Sequence, residues 1–121
     1  MKLLIVDDNI DTRKLIRSIM KPYGHDIMES QNGIDAVESY AAHRPDCVLM
    51  DIEMEGMDGL AATRTIRESY PDARIIIVTT YDEPRLRSAA KDAGAQEYVL
   101  KENLIALQSL IFPDQPDAHK Q

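Results

Sequence analysis

Short apolar runs alternate along this chain with longer stretches in which apolar residues recur every three or four positions. Leu3-Leu4-Ile5-Val6, Cys47-Val48-Leu49-Met50 and Ile75-Ile76-Ile77-Val78 contain no polar residue. Runs of that kind fit strands covered on both faces, as in a parallel sheet between two helical layers. Residues 26–29 read as a weaker second strand, and residues 97–100 as a fifth.

The intervening stretches read as helices. Residues 13–23 place Leu15, Ile16, Ile19, Met20 and Tyr23 on one helical face. Pro22 ends that helix near Lys21, since proline lacks the amide hydrogen the helix needs, and Gly24 supplies the turn. Residues 33–42 predict a second helix with Val37, Tyr40 and Ala41 toward the sheet, and residues 43–46 a turn. A loop over 53–59 leads to a third helix over 60–70, closed by Pro71-Asp72. The strand built on Ile75 to Val78 extends over 74–80. Pro84 suits the first turn of a fourth helix, with Leu86, Ala89, Ala90 and Ala93 inward and Gly94 as its cap. Residues 103–112 predict a short last helix with Asn103 as N-cap.

The beat is (βα)5: an α/β fold with a doubly wound, five-stranded parallel sheet. Such sheets bind ligands in the crevice beyond the carboxyl ends of their strands. One domain is expected over residues 1–112. The polar, proline-bearing stretch 113–121 reads as a linker or disordered tail, as expected of a chain cut before a second domain.

Composition narrows the function classes. The net charge of -7 disfavours direct nucleic-acid contact by this domain, which needs clustered Lys and Arg. The single cysteine, Cys47, excludes an intramolecular disulfide and reads as a buried thiol. The first apolar run is too short for a signal core or a membrane span, so the expected location is cytoplasmic. Neither GxGxxG nor GxxxxGK[ST] occurs, nor a Gly-x-Ser-x-Gly elbow, and His25, His43 and His119 are scattered.

Polar chemistry gathers where the strands run out. The first ends in Asp7 and Asp8, the third in Asp51, the fourth in Thr79 and Thr80, and the fifth in Lys101. Three carboxylates brought together repel one another unless a cation sits among them or a proton is retained. Oxygen donors of this type suit magnesium. Such an ion draws charge from a transferring phosphoryl group, and an ammonium and a hydroxyl serve the remaining phosphoryl oxygens. Taken singly, each residue has a plainer reading as a polar loop, strand or surface residue.

The stretches Leu3-Leu4-Ile5-Val6-Asp7-Asp8, Val48-Leu49-Met50-Asp51-Ile52-Glu53-Met54-Glu55-Gly56-Met57-Asp58-Gly59-Leu60, Ile76-Ile77-Val78-Thr79-Thr80-Tyr81 and Gly94-Ala95-Gln96-Glu97-Tyr98-Val99-Leu100-Lys101 carry a resemblance. Together they resemble the receiver domain of bacterial two-component response regulators, over about residues 2–112. The resemblance implies a flavodoxin-like sheet of order 2-1-3-4-5. It implies that Asp51 accepts a phosphoryl group from a sensor histidine kinase. Asp7 and Asp8, with Asp8 the more direct ligand, would hold Mg2+ together with a carboxylate oxygen of Asp51 and the backbone carbonyl of Glu53. Lys101 would pair with the phosphoryl group, Thr79 would swing to hydrogen-bond it, and the Thr80 amide would reach it. Tyr98 would be the aromatic switch that turns inward as Thr79 moves. Glu53 and Tyr81 would flank the line of attack and tune rates. Readout would pass through the face of the fourth helix, fifth strand and fifth helix, a surface that in the family also dimerises.

Two departures stand out. Glu55 replaces the family's usual loop proline, which predicts retained phosphorylation with an altered lifetime. Glu102 stands where many members carry a cis-proline, removing the main reason for a cis bond. Regulators with a helix-turn-helix DNA-binding output domain often lack that proline, so the expected parent is a transcription regulator. The expected activity is that of a self-phosphorylating and slowly self-dephosphorylating module, not an enzyme on a metabolite. A stand-alone receiver, and a pseudo-receiver acting only through its surface, are the alternatives.

Overall fold

The computed structural model describes residues 1–23 and 26–112. Its strands are β1 (Lys2–Val6), β2 (Asp26–Ser30), β3 (Cys47–Met50), β4 (Ile75–Thr79) and β5 (Glu97–Leu100). Its helices are α1 (Ile10–Met20), α2 (Gly33–His43), α3 (Gly59–Ser69), α4 (Pro84–Ala93) and α5 (Ala106–Ile111), with 3-10 turns at Lys21–Tyr23 and Lys101–Asn103. All strand pairs are parallel, in the order β2-β1-β3-β4-β5.

The apolar runs are buried on both faces because successive side chains point to opposite sides of a strand. Leu3, Ile5, Leu49, Ile76 and Val78 pack with Ile16 and Met20 of α1 and Leu107 and Ile111 of α5. Leu4, Val6, Val48, Met50, Ile75 and Ile77 pack with Ala36 and Tyr40 of α2, Ala62 and Ile66 of α3 and Ala90 of α4. Each run thus feeds two cores. Cys47 is fully buried, and burial pushes its thiol up to about 11, as expected of an inert packing residue.

Side-chain caps set several helix starts. Asn9, Asn32 and Asp58 accept hydrogen bonds from the amides of Thr12 (3.0 Å), Asp35 (2.8 Å) and Ala61 (2.8 Å). The Asn9 cap starts α1 at Ile10, ahead of the first residue of the apolar pattern. Leu15, expected inward, is 53% exposed, and Ala41 is exposed where Ala36 is buried. The last helix also differs from expectation. The chain leaves β5 directly into the turn Lys101–Asn103, which carries Leu104 into the core. Asn103 therefore lies inside a helical turn and cannot take the extended, half-in position of a cap; α5 begins at Ala106 without a side-chain cap. Gly94 closes α4 with φ 107°, as anticipated. The turn assigned to Gly24, the side chain of Tyr23 and the tail 113–121 lie outside the described residues. Among the described residues no peptide bond is cis, and no helix is long and apolar enough to cross a membrane.

Candidate functional site

Strand register builds the site. Val6 of β1 pairs with Met50 of β3, so the residues that follow them, Asp7 and Asp51, emerge side by side. Thr79 of β4 pairs with Leu100 of β5, which places Lys101 at the same edge. Carboxylate oxygens of Asp7, Asp8 and Asp51 lie within 4.8 Å of one another. Asp7 and Asp51 are 2% and 6% exposed, whereas Asp8 faces solvent.

Backbone contacts fix these acids. The Asp51 amide donates to the Val6 carbonyl at 2.9 Å, and the Ile52 amide donates to Asp51 Oδ1 at 2.9 Å. Asp7 Oδ1 accepts from the Asn9 amide at 2.9 Å. The N-terminus of α3 docks on the same backbone: a Cβ on Gly59 would stand 1.7 Å from the Asp51 carbonyl oxygen, so only glycine fits there. Lys101 Nζ is 2.7 Å from Asp7 Oδ2 and 3.4 Å from Asp51 Oδ2.

Charge in the cluster is unbalanced. Burial, then the neighbouring Asp7 carboxylate, pushes the Asp51 pKa up to about 6, against the pull of Lys101. Burial works to lower the Lys101 pKa, but hydrogen bonding to Asp7 and the charges of both acids outweigh it, and the ammonium is retained more firmly than usual. Three carboxylates against one ammonium leave two negative charges when all are ionised. Oxygen-only donors with that charge fit a hard divalent cation.

Asp7, Asp8, Asp51, Glu53, Thr80, Tyr81 and Lys101 line one open cleft, together with Glu55 and Thr12. Thr79 and Tyr98 do not line it. Thr79 is fully buried, and its Oγ1 accepts from the Tyr81 amide at 3.2 Å. Tyr98 is half-buried; its hydroxyl donates to the Tyr81 carbonyl at 2.6 Å, and the Arg87 guanidinium sits 4.5 Å from its ring centre. Tyr81 also donates its hydroxyl to the Glu53 carboxylate across the cleft mouth. Tyr81 thereby touches Thr79, Tyr98 and Glu53 through three different groups.

Sequence reasoning missed Arg13, whose Nη1 donates to the Asp7 carbonyl at 2.7 Å. It also missed Asn9, although an Asn directly after a strand-end acid pair is a strong N-cap signal. No local signal pairs Arg13 with Glu29, because that contact joins α1 to β2.

The family model described as response regulator receiver domain matches residues 3–111. The chemotaxis protein CheY of Bacillus subtilis is 38% identical over 101 residues, covering 83% of this chain and 84% of that protein. Response regulator MprA of Mycobacterium sp. (strain KMS) is 32% identical over 121 residues, covering 96% of this chain but 53% of MprA. The chain therefore spans about half the length of that relative. Among solved structures, a DNA-binding response regulator of the LuxR family from Staphylococcus aureus superposes with a TM-score of 0.85 at 32% identity, covering 93% of this chain and 96% of that one.

Proposed function

This chain belongs to the response-regulator receiver family, and on that footing we propose that it is a phosphoaccepting signal-transduction switch whose acceptor is Asp51. The observation that carries the reading is the setting of Asp51: a buried carboxylate at a strand end, grouped with Asp7 and Asp8 and 3.4 Å from the Lys101 ammonium. One Asp51 oxygen attacks the phosphorus of a phosphohistidine on a sensor kinase. The new P–O bond forms as the P–N bond breaks, and the imidazole leaves with its electron pair.

Asp7, Asp8, a carboxylate oxygen of Asp51 and the backbone carbonyl of Glu53 are the groups that would hold Mg2+. When bound, that ion offsets the charge of the acids and draws negative charge from the phosphoryl oxygens. Lys101, which bridges Asp7 and Asp51 in this structure, turns its ammonium to a phosphoryl oxygen. The Thr79 hydroxyl, now only an acceptor for the Tyr81 amide, has its hydrogen free to donate to another. The Thr80 amide serves a third. Glu53 and Tyr81, joined across the mouth, stand where they set access of water and donor, and so the lifetime of the acyl phosphate.

Movement of Thr79 bears on Tyr81, through the Tyr81 carbonyl on Tyr98, and through the Tyr98 ring on Arg87 of α4. Readout at the face of α4, β5 and α5, by dimerisation or by contact with a partner, follows from that linkage. The length relation to MprA and the DNA-binding Staphylococcus aureus neighbour favour a parent protein in which residues 1–112 form the receiver, residues 113–121 a linker, and a helix-turn-helix output domain follows.

The test is incubation of wild type and Asp51→Asn with acetyl phosphate, with and without Mg2+, read by intact mass. One added phosphoryl group, dependent on Mg2+ and absent from the variant, is the expected result. No gain by wild type under any condition would leave a module that works only through its surface.

A further inference from the structure

We propose that Arg13 is a positioning residue for the cation-binding acids: through the Asp7 carbonyl it fixes the peptide from which Asp8 projects. The inference rests on reading Asp7, Asp8 and Asp51 as a divalent-cation site.

Arginine in the first turns of a surface helix normally keeps its head in water. Arg13 does not; its side chain is 12% exposed. Nη1 donates to the Asp7 carbonyl at 2.7 Å, and Nε donates to Glu29 Oε1 at 2.9 Å. Glu29 is itself held, since Arg17 Nε donates to its other oxygen at 2.8 Å and Arg17 Nη2 reaches the Ile27 carbonyl at 3.1 Å. The strand position of Glu29 opposite Ile5 anchors the whole array to the sheet. The guanidinium is thus gripped on one side and aimed on the other.

The aim matters because every other polar group of Asp7 is already committed. Its amide donates to the Ser30 carbonyl at 3.1 Å, Oδ1 accepts from Asn9 and Oδ2 from Lys101. The carbonyl held by Arg13 completes the set. Because the peptide unit is planar, fixing that carbonyl fixes the Asp8 amide and Cα. Among the described residues no hydrogen bond holds the Asp8 side chain, so its direction is inherited from this backbone. The contribution is geometric. Lysine at position 13 retains the charge but lacks the planar fork that grips Glu29 and the carbonyl together.

Mg2+ affinity measured by isothermal titration calorimetry, with thermal melts in parallel, tests this on Arg13→Ala, Arg13→Lys and Arg17→Ala. Loss of an outer contact of this kind weakens metal binding about tenfold or more. Both Arg13 variants should show that rise in Kd, the lysine variant included. Arg17→Ala leaves Glu29 fixed by its strand position opposite Ile5 and leaves both Arg13 contacts in place, so it should bind Mg2+ within about twofold of wild type even if its melting temperature falls. If Arg13→Ala does not fold, Arg13→Lys decides. Wild-type affinity in the Arg13 variants, or an equal loss in Arg17→Ala, would overturn the role assigned to Arg13 while leaving the cation site intact. Absence of Mg2+ binding by wild type would instead remove the underlying reading, and the inference with it.

Discussion

Asp51 occupies a position that burial makes unfavourable for a charge. Its pKa of about 6 lies above the ordinary 3.8, so the folded chain binds this proton more tightly than the unfolded chain. Stability from this group is therefore complete below pH 3.8 and is lost as pH rises to about 6. At pH 7 in metal-free buffer the buried charge opposes folding, and Asp51→Asn should stabilise the protein by about 1–2 kcal/mol. Urea denaturation checks this; the gain should vanish below pH 3.8, where wild type is neutral at this position. A variant less stable than wild type at pH 7 would contradict the electrostatics. At this scale Asp7, Asp8, Asp51 and Lys101 were legible, because each lies within two residues of a strand end and parallel register brings such positions together. Arg13 was not. Its contact depends on where α1 begins, and that start is set by the Asn9 cap, not by the apolar pattern.

Helix docking on the strand ends holds the acids in place, and α3 shows it most directly. A Cβ on Gly59 would fall 1.7 Å from the Asp51 carbonyl and 3.0 Å from Ile52 Cα, both backbone atoms that cannot yield cheaply. Gly59→Ala should cost about 2–3 kcal/mol of stability and slow phosphorylation, because displacing α3 shifts the Asp51 backbone. Equilibrium unfolding and a phosphorylation time course check the two parts. Stability close to wild type would mean that α3 moves freely on the sheet. β3 and β5 lie where their apolar and β-prone residues placed them. α5 does not, because a buried Leu104 demands a turn immediately after β5, and that demand is tertiary. Ala41 and Leu15 were misassigned for a related reason: each belongs to a plausible apolar stripe, and only the sheet decides which edge of the stripe it covers.

At the scale of the molecule, the parallel sheet and its order follow from the alternation of runs and helices together with the family resemblance, and the observed order is the expected one. The molecule carries a connection from Thr79 through Tyr81 to Tyr98. Phosphorylation in the presence of Mg2+ should therefore alter amide hydrogen exchange over residues 80–93 and 97–100 more than in β2 and α2, and should leave Asp51→Asn unchanged. Uniform change, or change confined to the far side of the sheet, would contradict transmission by this route.

Transfer of the phosphoryl group to Asp51, and to no other acid of the cluster, can be read directly. Reduction with borohydride converts an aspartyl phosphate to homoserine and marks the acceptor in a peptide map. After phosphorylation with acetyl phosphate and Mg2+, homoserine should appear at position 51 with Asp7 and Asp8 unmodified. Homoserine at position 7 or 8, or none at all in protein shown by mass to be phosphorylated, would contradict it.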